Sequence, residues 1–330
     1  MTTLSVVVIG RNEGERLRAC LQSVFAMEQT HLELEVIYVD SRSTDSSVMI
    51  AEQLGAKCVV LTEGPTTAAR GRNAGWRVAK GEYVLFLDGD TLLQPRFVQD
   101  VLPMFEMKHL AIIWGHRREW NWKASVYNRA LDLDWLHKPG WIGYCGGDSL
   151  FRRSALEQSG GYDENLIAGE EPELSRRLTA MDWQIFHVDL LMTQHDLAIK
   201  TVGAYWKRAT RTGHAYSEVS ERFAKTGEPF WTEELKRTQS RAVVWMATPV
   251  VALVLAVLLK SLWPIGIALL LAVLVIVRTA YKAQWRSDDK VTLLLYAVHS
   301  HLQHIPIWLG HLRFKRSQKR GAKVALLEYK

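Results

Sequence analysis

The stretch that most constrains this fold is VLFLDGD, residues 84–90, in which an apolar run ends abruptly in two carboxylates. Alternate side chains of an extended chain point to the same side, so Asp88 and Asp90 are predicted to face one ligand or cation. Hard divalent metals such as Mg²⁺ or Mn²⁺ prefer oxygen ligands of this kind, completed by substrate phosphates. The alternative interpretation is an ordinary surface turn, because Asp-Gly-Asp is also common turn chemistry.

Two β-branched runs that precede this stretch also end in polar residues. They are LSVVVIGRNE at 4–13 and LEVIYVDSRSTD at 34–45, and helix-like spacing follows them over 15–26 and 46–55. Strands that alternate with helices predict a parallel sheet, whose ligands bind beyond the carboxyl ends of the strands. The polar residues at these ends are therefore predicted to form one site: Asn12, Glu13, Asp40, Asp88 and Asp90.

Five segments, in this order, resemble the family-2 glycosyltransferases with a GT-A fold, over roughly residues 4–215. They are VVIGRNEGERL (7–17), VDSRSTDSS (39–47), ARGRNAGWRVAKGEYVLFLDGD (69–90), CGGDSLFRRSAL (145–156) and GEEPELSRRL (169–178). The resemblance implies a Rossmann-like, mostly parallel sheet flanked by helices. It also implies transfer of a sugar from a nucleotide diphosphate, with a UDP-sugar as the family's default donor.

The resemblance assigns roles to individual residues. Contacts to the nucleotide sugar are implied for Asn12, Glu13, Asp40, Arg72 and Asp88, with Asp40 next to the base. Acceptor-side positions are Gly146, Gly147 and Asp148, although the family often has Asn or Ser where this chain has Asp148. The family's acidic pair, usually Glu-Asp, corresponds to Glu170 and Glu171, and Glu171 holds the position of the catalytic base.

The chemistry of sugar transfer gives these residues the same roles. A metal held by Asp90, with Asp88 and His195 as further candidate ligands, would neutralise charge on the departing diphosphate. An acceptor hydroxyl loses its proton as it attacks, and a positioned carboxylate such as Glu171 accelerates that step by ~10²–10⁴-fold. A single displacement predicts inversion at the anomeric carbon. Glu170 and Glu171 also suit a helix N-terminus, which is compatible with catalysis.

Cations that could meet the diphosphate follow the acidic pair. Arg208 and Arg211 are three residues apart, so they share a helix face and are candidate diphosphate ligands. In processive family members this region reads QxxRW, whereas this chain has Arg208-Ala-Thr-Arg211 followed by Thr212. The departure argues against polymer synthesis. A basic amphipathic helix lying on anionic lipid is the alternative interpretation, above all for Lys207.

Charge and hydropathy divide the chain. Residues 1–235 carry 26 basic and 32 acidic side chains, net −6, and residues 236–330 carry 15 and 3, net +12. The acidic N-terminal part predicts no nucleic-acid partner. Uncharged runs at 242–259 and 262–277 are long enough, at 1.5 Å per residue, to cross most of a ~30 Å hydrocarbon layer as a hairpin. Basic residues flank both ends, which predicts that both ends are cytoplasmic.

The segment 291–310 is apolar but interrupted by His299, His301, Gln303 and His304. A span here would put the basic tail outside, against the positive-inside rule, so an interfacial helix is predicted and a third membrane helix is the alternative. The spacing of the three histidines does not place them on one helical face, which argues against a metal site. Three cysteines without an export signal predict reduced cytoplasmic thiols.

These observations predict a GT-A catalytic domain over 1–198, an amphipathic juxtamembrane segment over 199–241, and a membrane part over 242–330. The predicted function is a membrane-anchored inverting glycosyltransferase at the inner membrane, with its catalytic domain in the cytoplasm. Its expected partners are a nucleotide sugar, Mg²⁺ or Mn²⁺, the lipid bilayer, and a membrane lipid or lipid-linked acceptor of the cell envelope. Two alternatives remain: a nucleotidyltransferase of similar fold, and a non-catalytic membrane scaffold.

Overall fold

The computed structural model describes residues 1–226 and 229–320 of the chain. Within them, one sheet contains the strands β1 Thr2–Gly10, β2 Leu32–Asp40, β3 Lys57–Val60, β4 Tyr83–Asp88, β5 Thr91–Leu93, β6 Leu110–Glu119, β7 Gly140–Trp141, β8 Ser149–Arg152 and β9 Gln184–His195. The first helices are α1 Glu15–Phe25, α2 Ser47–Gln53, α3 Ala68–Val78, α4 Phe97–Val101, α5 Val126–Asp132, α6 Arg153–Ser159 and α7 Glu170–Thr179. Five more follow: α8 Val202–Phe223, α9 Thr232–Leu258, α10 Trp263–Lys282, α11 Lys290–Leu302 and α12 His304–Lys319.

The chain divides into two compact units. The first comprises residues 1–120 and 135–196, and the second comprises residues 121–134 and the described residues from Leu197 on. The whole sheet belongs to the first unit. The second unit is helical and contains both long apolar helices.

The sheet of the first unit is mixed. Its strand order is β3-β2-β1-β4-β8-β6-β9-β5, and β7 pairs with β9. The four N-terminal strands β3, β2, β1 and β4 are parallel, as the alternation of strands and helices predicts. Beyond β4 both directions occur: β6 and β9 are parallel to each other, whereas β8 runs antiparallel to both β4 and β6, and β5 and β7 are antiparallel to β9.

The core of the first unit lies on both faces of the central strands. Val6, Val7 and Val8 are completely buried, as are Leu85, Phe86 and Leu87 of the neighbouring strand β4. Such continuous apolar runs are typical of strands that are covered on both sides. Helix α3 approaches β1 closely at Gly75, where a Cβ atom would lie 2.2 Å from Val7 Cγ1. This close approach holds α3, and with it Arg72, against the sheet.

The second unit contains two helices that are long and apolar enough to cross a membrane, α9 and α10. Helix α9 begins before the first predicted apolar run and α10 continues past the end of the second, because polar residues there continue the helices. Pro249 lies within α9 and Pro264 in the first turn of α10. The aliphatic side chains of α9 and α10 are largely exposed, which is costly in water and expected in lipid.

The sequence pattern predicts a single helix over 291–310, but the structure has two helices there. The segment breaks at Gln303 into α11 and α12, and neither part is long and apolar enough to cross a membrane. The two helices have different partners. His301 of α11 contacts Thr279 of α10 (Nε2–Oγ1, 2.9 Å), whereas α12 crosses α8, where Gly310 and Gly213 meet. The end of the predicted basic tail, residues 321–330, lies outside the described residues.

Candidate active site

The ends of β1, β2 and β4 lie side by side at one edge of the sheet. Gly10 pairs with Asp40 across one side of β1, and Ile9 pairs with Asp88 across the other. The Gly89 N–H donates to the Ile9 carbonyl (2.8 Å), so the Asp88–Asp90 turn is fixed to the end of β1. The sequence-predicted residues at these strand ends are thus brought together by parallel register.

Asn12 and Asp40 shape the loops at the ends of β1 and β2. The Asn12 side chain accepts a hydrogen bond from the Thr44 N–H (2.8 Å), and the Asn12 backbone N–H donates to Ser43 Oγ (2.8 Å). Asp40 is buried and accepts from the Ser43 N–H (2.8 Å) and the Tyr38 hydroxyl (2.9 Å). Glu13 is tied to α2, since its N–H donates to Ser47 Oγ (3.1 Å). These contacts hold the two loops as one preorganised surface.

Arg72 is a completely buried cation that joins three carboxylates. Its Nη1 lies 2.9 Å from Glu170 Oε1 and 3.0 Å from Glu171 Oε1, and its Nη2 lies 3.1 Å from Asp88 Oδ1. Gly147 backs directly onto this cluster, because a Cβ atom there would lie 2.7 Å from Arg72 Nη2. The predicted acceptor loop, the predicted base and the predicted donor-side aspartate are therefore organised around one guanidinium group.

Glu171 lies in the first turn of α7, beside Glu170. Burial raises the pKa of Glu171 to about 7, and the neighbouring Glu170 carboxylate adds to the increase against the opposing charge of Arg72. A carboxylate with a pKa near neutral is well suited to accept a proton at physiological pH. Glu171 thus lies at a helix N-terminus, as the sequence predicts, and this position is compatible with a catalytic role.

A second arginine, Arg117 of β6, faces Asp88 from the other side. Its two terminal nitrogens lie 3.3 Å from Asp88 Oδ2, and its Nε lies 3.5 Å from Asp148 Oδ2. The guanidinium stacks over the Trp135 ring at 4.9 Å, a cation–π contact. Asp148 is buried and accepts hydrogen bonds from the Asp88 N–H and the Thr193 hydroxyl. Asp148 thus holds the end of β4 in place.

Asp88 and Asp90 face different partners. Whereas Asp88 lies between Arg72 and Arg117, the buried carboxylate of Asp90 lies 3.2 Å from His195 Nε2. The other ring nitrogen, Nδ1, lies 4.0 Å from Glu119 Oε2. The imidazole also makes an edge contact with Trp135, at 5.1 Å between ring centroids. Asp90, His195 and Glu119 therefore form a second buried cluster at the same edge of the sheet.

No group of three or more His, Cys, Asp and Glu side chains in the described ranges is arranged to hold a metal ion. Asp90 Oδ1 and His195 Nε2 are nonetheless about as far apart as two ligands of one ion, and Mg²⁺ or Mn²⁺ commonly takes one or two protein ligands plus substrate phosphates. The site also has an excess of negative charge. Arg72 and Arg117 contact four carboxylates, Asp88, Asp148, Glu170 and Glu171, and Asp90 and Glu119 beside His195 bring the number in the two clusters to six. The donor set and its charge fit a divalent cation bound together with a diphosphate.

Arg208 and Arg211 lie on α8 of the second unit. Within that unit the positive charge of Arg208 interacts electrostatically with the Asp134 carboxylate. The same carboxylate accepts a hydrogen bond from His299 Nε2 (2.6 Å). Burial alone would raise the pKa of Asp134, but His299, Arg208 and Arg286 together lower it. Arg208 and Arg211 remain predicted diphosphate ligands.

Sequence reasoning missed Arg117, Glu119 and Trp135. A signal was present for the first two, since LAIIWGHRRE at 110–119 is another apolar run that ends in charged residues. Arg117 and Glu119 are two apart on β6, so their side chains leave the same face of the strand. Trp135 had no such signal, because residues 121–134 belong to the second unit and the chain re-enters the first unit only at Trp135.

The mixed sheet, with its acidic site at the strand ends, defines the GT-A class of fold. The mannosyltransferase PcManGT from Pyrobaculum calidifontis, solved with GDP-Man and Mn²⁺, superposes with a TM-score of 0.66 at 16% identity, over 94% of this chain and 86% of that one. Staphylococcus aureus TarS in complex with UDP-GlcNAc superposes with a TM-score of 0.52 at 15% identity, over 98% and 93%. At these identities the likeness establishes the fold, and the predicted fold class is confirmed.

The sequence places the chain within this class. Residues 5–160, just under half of the chain, match the family model Glycosyl transferase family 2. The poly(ribitol-phosphate) beta-N-acetylglucosaminyltransferase TarP of S. aureus strain N315 is 31% identical over 210 residues, 62% of each protein. Escherichia coli YibD, an uncharacterized glycosyltransferase, is 34% identical over 148 residues, 42% of each. The chain spans less than half the length of YibD and of two other curated relatives.

Proposed function

We propose that this protein is a membrane-anchored, metal-dependent inverting glycosyltransferase. It transfers a sugar from a nucleotide diphosphate sugar to a lipid-linked or cell-envelope acceptor at the cytoplasmic leaflet of the inner membrane. The family match favours this function over the nucleotidyltransferase alternative. The observation that carries the proposal is Glu171, a carboxylate with a pKa near 7 that is held by Arg72 next to Asp88.

The proposed mechanism uses one carboxylate as a base. Glu171 accepts the proton of the acceptor hydroxyl, and the resulting nucleophile displaces the nucleotide diphosphate in one step with inversion. Arg72 keeps Glu171 and Asp88 at fixed positions relative to each other, since it contacts both side chains through its two terminal nitrogens. Gly147 leaves the room in which this guanidinium lies.

Donor binding is assigned to the strand-end loops and the second cluster. Asn12, Glu13 and Asp40 organise the surface for the nucleoside, while Asp90 and His195 would hold a divalent metal. When bound, Mg²⁺ or Mn²⁺ neutralises charge on the departing diphosphate. The similar structures hold UDP-GlcNAc in one case and GDP-Man in the other, so both nucleotides belong in a donor screen. We favour a UDP-sugar for two reasons. The relative TarP is named as an N-acetylglucosaminyltransferase, and the structurally similar TarS was solved with UDP-GlcNAc.

Membrane anchoring is assigned to α9 and α10. Their exposed aliphatic side chains, with the basic residues at either end of the hairpin, support insertion from the cytoplasmic side. An acceptor confined to the leaflet would then meet the enzyme at a raised effective concentration.

The substitution Glu171→Gln tests the function. It preserves shape and hydrogen bonding but removes the base, so we expect transfer to fall by ~10²-fold or more while donor binding persists. Purified full-length protein in lipid nanodiscs would be incubated with UDP- and GDP-sugars and membrane lipids, with products identified by mass. Donor affinity would be measured by calorimetry.

The exposed variant Glu52→Gln on α2 is the matched control and should retain wild-type turnover. Wild-type transfer by Glu171→Gln would contradict its role as base and would indicate an acceptor that is already ionised, such as a lipid phosphate. Donor binding without turnover in the wild-type protein, across the whole panel, would instead support the non-catalytic scaffold.

A further inference from the structure

Two segments of the second unit lie side by side and carry positive charge only. Ser125 Oγ donates to the Ile199 carbonyl, the Ile199 N–H donates to Asn128 Oδ1 (3.1 Å), and the rings of Tyr127 and Tyr205 are 5.3 Å apart. Residues 121–131 contain two basic and no acidic side chains, and residues 197–217 contain four and none. Together these segments have a formal charge of +6.

The surface they form combines exposed apolar side chains with exposed lysines. Val126 is 54% exposed, Val202 63% and Trp206 41%, and the last two lie four residues apart on one face of α8. The same two segments carry three exposed lysines: Lys123, Lys200 and Lys207. We call these six residues the juxtamembrane patch. Three acids next to these segments are themselves paired: Asp289 with Arg129, Asp134 with His299, and Glu218 with His214 and Arg222.

The patch is tied to the membrane hairpin through α11. One end of α11 contacts α5, where Arg129 Nε donates to Thr292 Oγ1 (2.6 Å). Its other end contacts α10, where His301 meets Thr279 immediately after the apolar run ends. At 1.5 Å per residue the 13 residues of α11 span about 20 Å. A helix of this length lying along the interface would hold the patch at the level of the lipid headgroups.

We infer that the juxtamembrane patch is a second membrane contact, which docks on the anionic lipid headgroups of the cytoplasmic leaflet. Exposed valine and tryptophan side chains enter the headgroup boundary, and the three lysines meet lipid phosphates. The inference rests on the proposed membrane anchoring and goes beyond it, because the hairpin fixes only where the chain crosses. The patch would fix how the second unit is oriented on the surface.

The test uses full-length protein in nanodiscs, with a fluorophore at a single introduced cysteine in a Cys58→Ser background. Cys20 and Cys145 are buried and can stay. A label at Val202→Cys reports on the patch, and one at Leu271→Cys, on the exposed surface of α10, reports on the hairpin. Nitroxide-bearing lipids quench a label that lies in the bilayer or its headgroup layer.

With phosphatidylglycerol present, we expect a headgroup-level nitroxide to quench the Val202 label. The quenching should decrease in pure phosphatidylcholine and at high salt, since screening weakens surface electrostatics. The triple substitution Lys123→Glu, Lys200→Glu and Lys207→Glu should abolish the dependence on phosphatidylglycerol. The matched triple Lys57→Glu, Lys80→Glu and Lys108→Glu makes the same charge change at exposed lysines of the first unit and should have no effect.

Two failures can be told apart. If a deep nitroxide does not quench the Leu271 label, the proposed membrane anchoring is wrong. If Leu271 is quenched and Val202 is not, or if Val202 is quenched equally with and without phosphatidylglycerol, the inferred anionic-lipid contact is wrong. The lipid comparison is made on one unchanged protein, so misfolding of a variant cannot imitate either result.

Discussion

At the scale of single residues, the site divides six carboxylates between two clusters. Arg72 and Arg117 contact Asp88, Asp148, Glu170 and Glu171, whereas Asp90 and Glu119 lie beside His195. Removing a partner from a buried charge cluster leaves uncompensated charge, so each member affects the others. The distribution allows one edge of the sheet to hold both the proposed base and the proposed cation site.

The pKa of Glu171 predicts how activity depends on pH. Burial and Glu170 raise this pKa to about 7, so the carboxylate is protonated, and inactive as a base, below that value. We therefore expect kcat/KM to increase with pH up to about 7 and to level off above it. Stability should change in the opposite direction, since the folded protein binds this proton more tightly and loses that advantage as pH rises from about 4.5 to about 7.

A pH profile of transfer by the wild-type protein measures the first effect. In the Glu171→Gln variant the residual rate should no longer show the limb near pH 7. A limb that persists in that variant would assign the titration to another group.

Glu119 is predicted to position His195. A carboxylate beside the second ring nitrogen of a metal-binding histidine fixes the orientation of the ring, and losing it typically costs 10–100-fold in metal affinity. We expect Glu119→Gln to weaken Mn²⁺ binding by about tenfold in the presence of UDP, as measured by electron paramagnetic resonance of the free ion. Glu106→Gln changes an exposed glutamate of the first unit and serves as control. Unchanged Mn²⁺ affinity in Glu119→Gln would show that His195 needs no such support.

At the scale of elements, the second unit is built on a close helix crossing. A Cβ atom at Gly213 of α8 would lie 1.8 Å from the Ile307 carbonyl oxygen, and one at Gly310 would lie 2.1 Å from the Thr210 carbonyl oxygen. Both contacts are to backbone, which cannot give way as a flexible side chain does. The two helices can approach only because glycine occupies both positions.

Gly213→Ala should therefore destabilise the second unit, by about 1–3 kcal/mol as in other overpacked interiors. Gly203→Ala is the matched control on the same helix, where the nearest atom is 3.9 Å away, and alanine should there be neutral or favourable. Thermal unfolding of both variants in detergent compares them. Equal melting temperatures would mean that α8 and α12 do not pack as closely as the structure shows.

The same crossing determines what a truncation would disturb. A cut near residue 239 would fall within α9, just before its apolar run begins at residue 242. That cut would also remove α12 and expose the face of α8 that holds Gly213, so the membrane part cannot be removed without disturbing the helix that precedes it.

At the scale of the whole molecule, a short connection between α9 and α10 predicts a hairpin with both ends on one side. We expect a cysteine introduced at Ser261, between the helices, to react with a membrane-impermeant thiol reagent only from the periplasmic side. A cysteine at Ser287, after α10, should react only from the cytoplasmic side. Labelling of intact cells and of inverted vesicles, again in a Cys58→Ser background, makes the comparison. Reaction of both positions from the same side would rule out a spanning hairpin.

Local pattern determined much of this protein. The apolar strands with polar ends, the helices between them and the two apolar helices follow from periodicity and hydropathy, which act over a few residues. The convergence of Asn12, Asp40 and Asp88 also followed, since parallel strands in register bring their carboxyl ends to one edge. Each of these features depends on neighbours along the chain or on one rule of sheet geometry.

Tertiary structure alone decided the rest. Antiparallel β8, which brings Asp148 beside Asp88, is set by long-range pairing that no local pattern encodes. The same holds for the break of 291–310 at Gln303 and for the placement of residues 121–134 in the second unit, which depend on partners far away in sequence. The separation of Asp88 and Asp90 onto different partners is the clearest case. Their spacing in an extended chain predicts a common direction, but β4 ends at Asp88 and the chain turns at Gly89, so each carboxylate meets a different counter-charge.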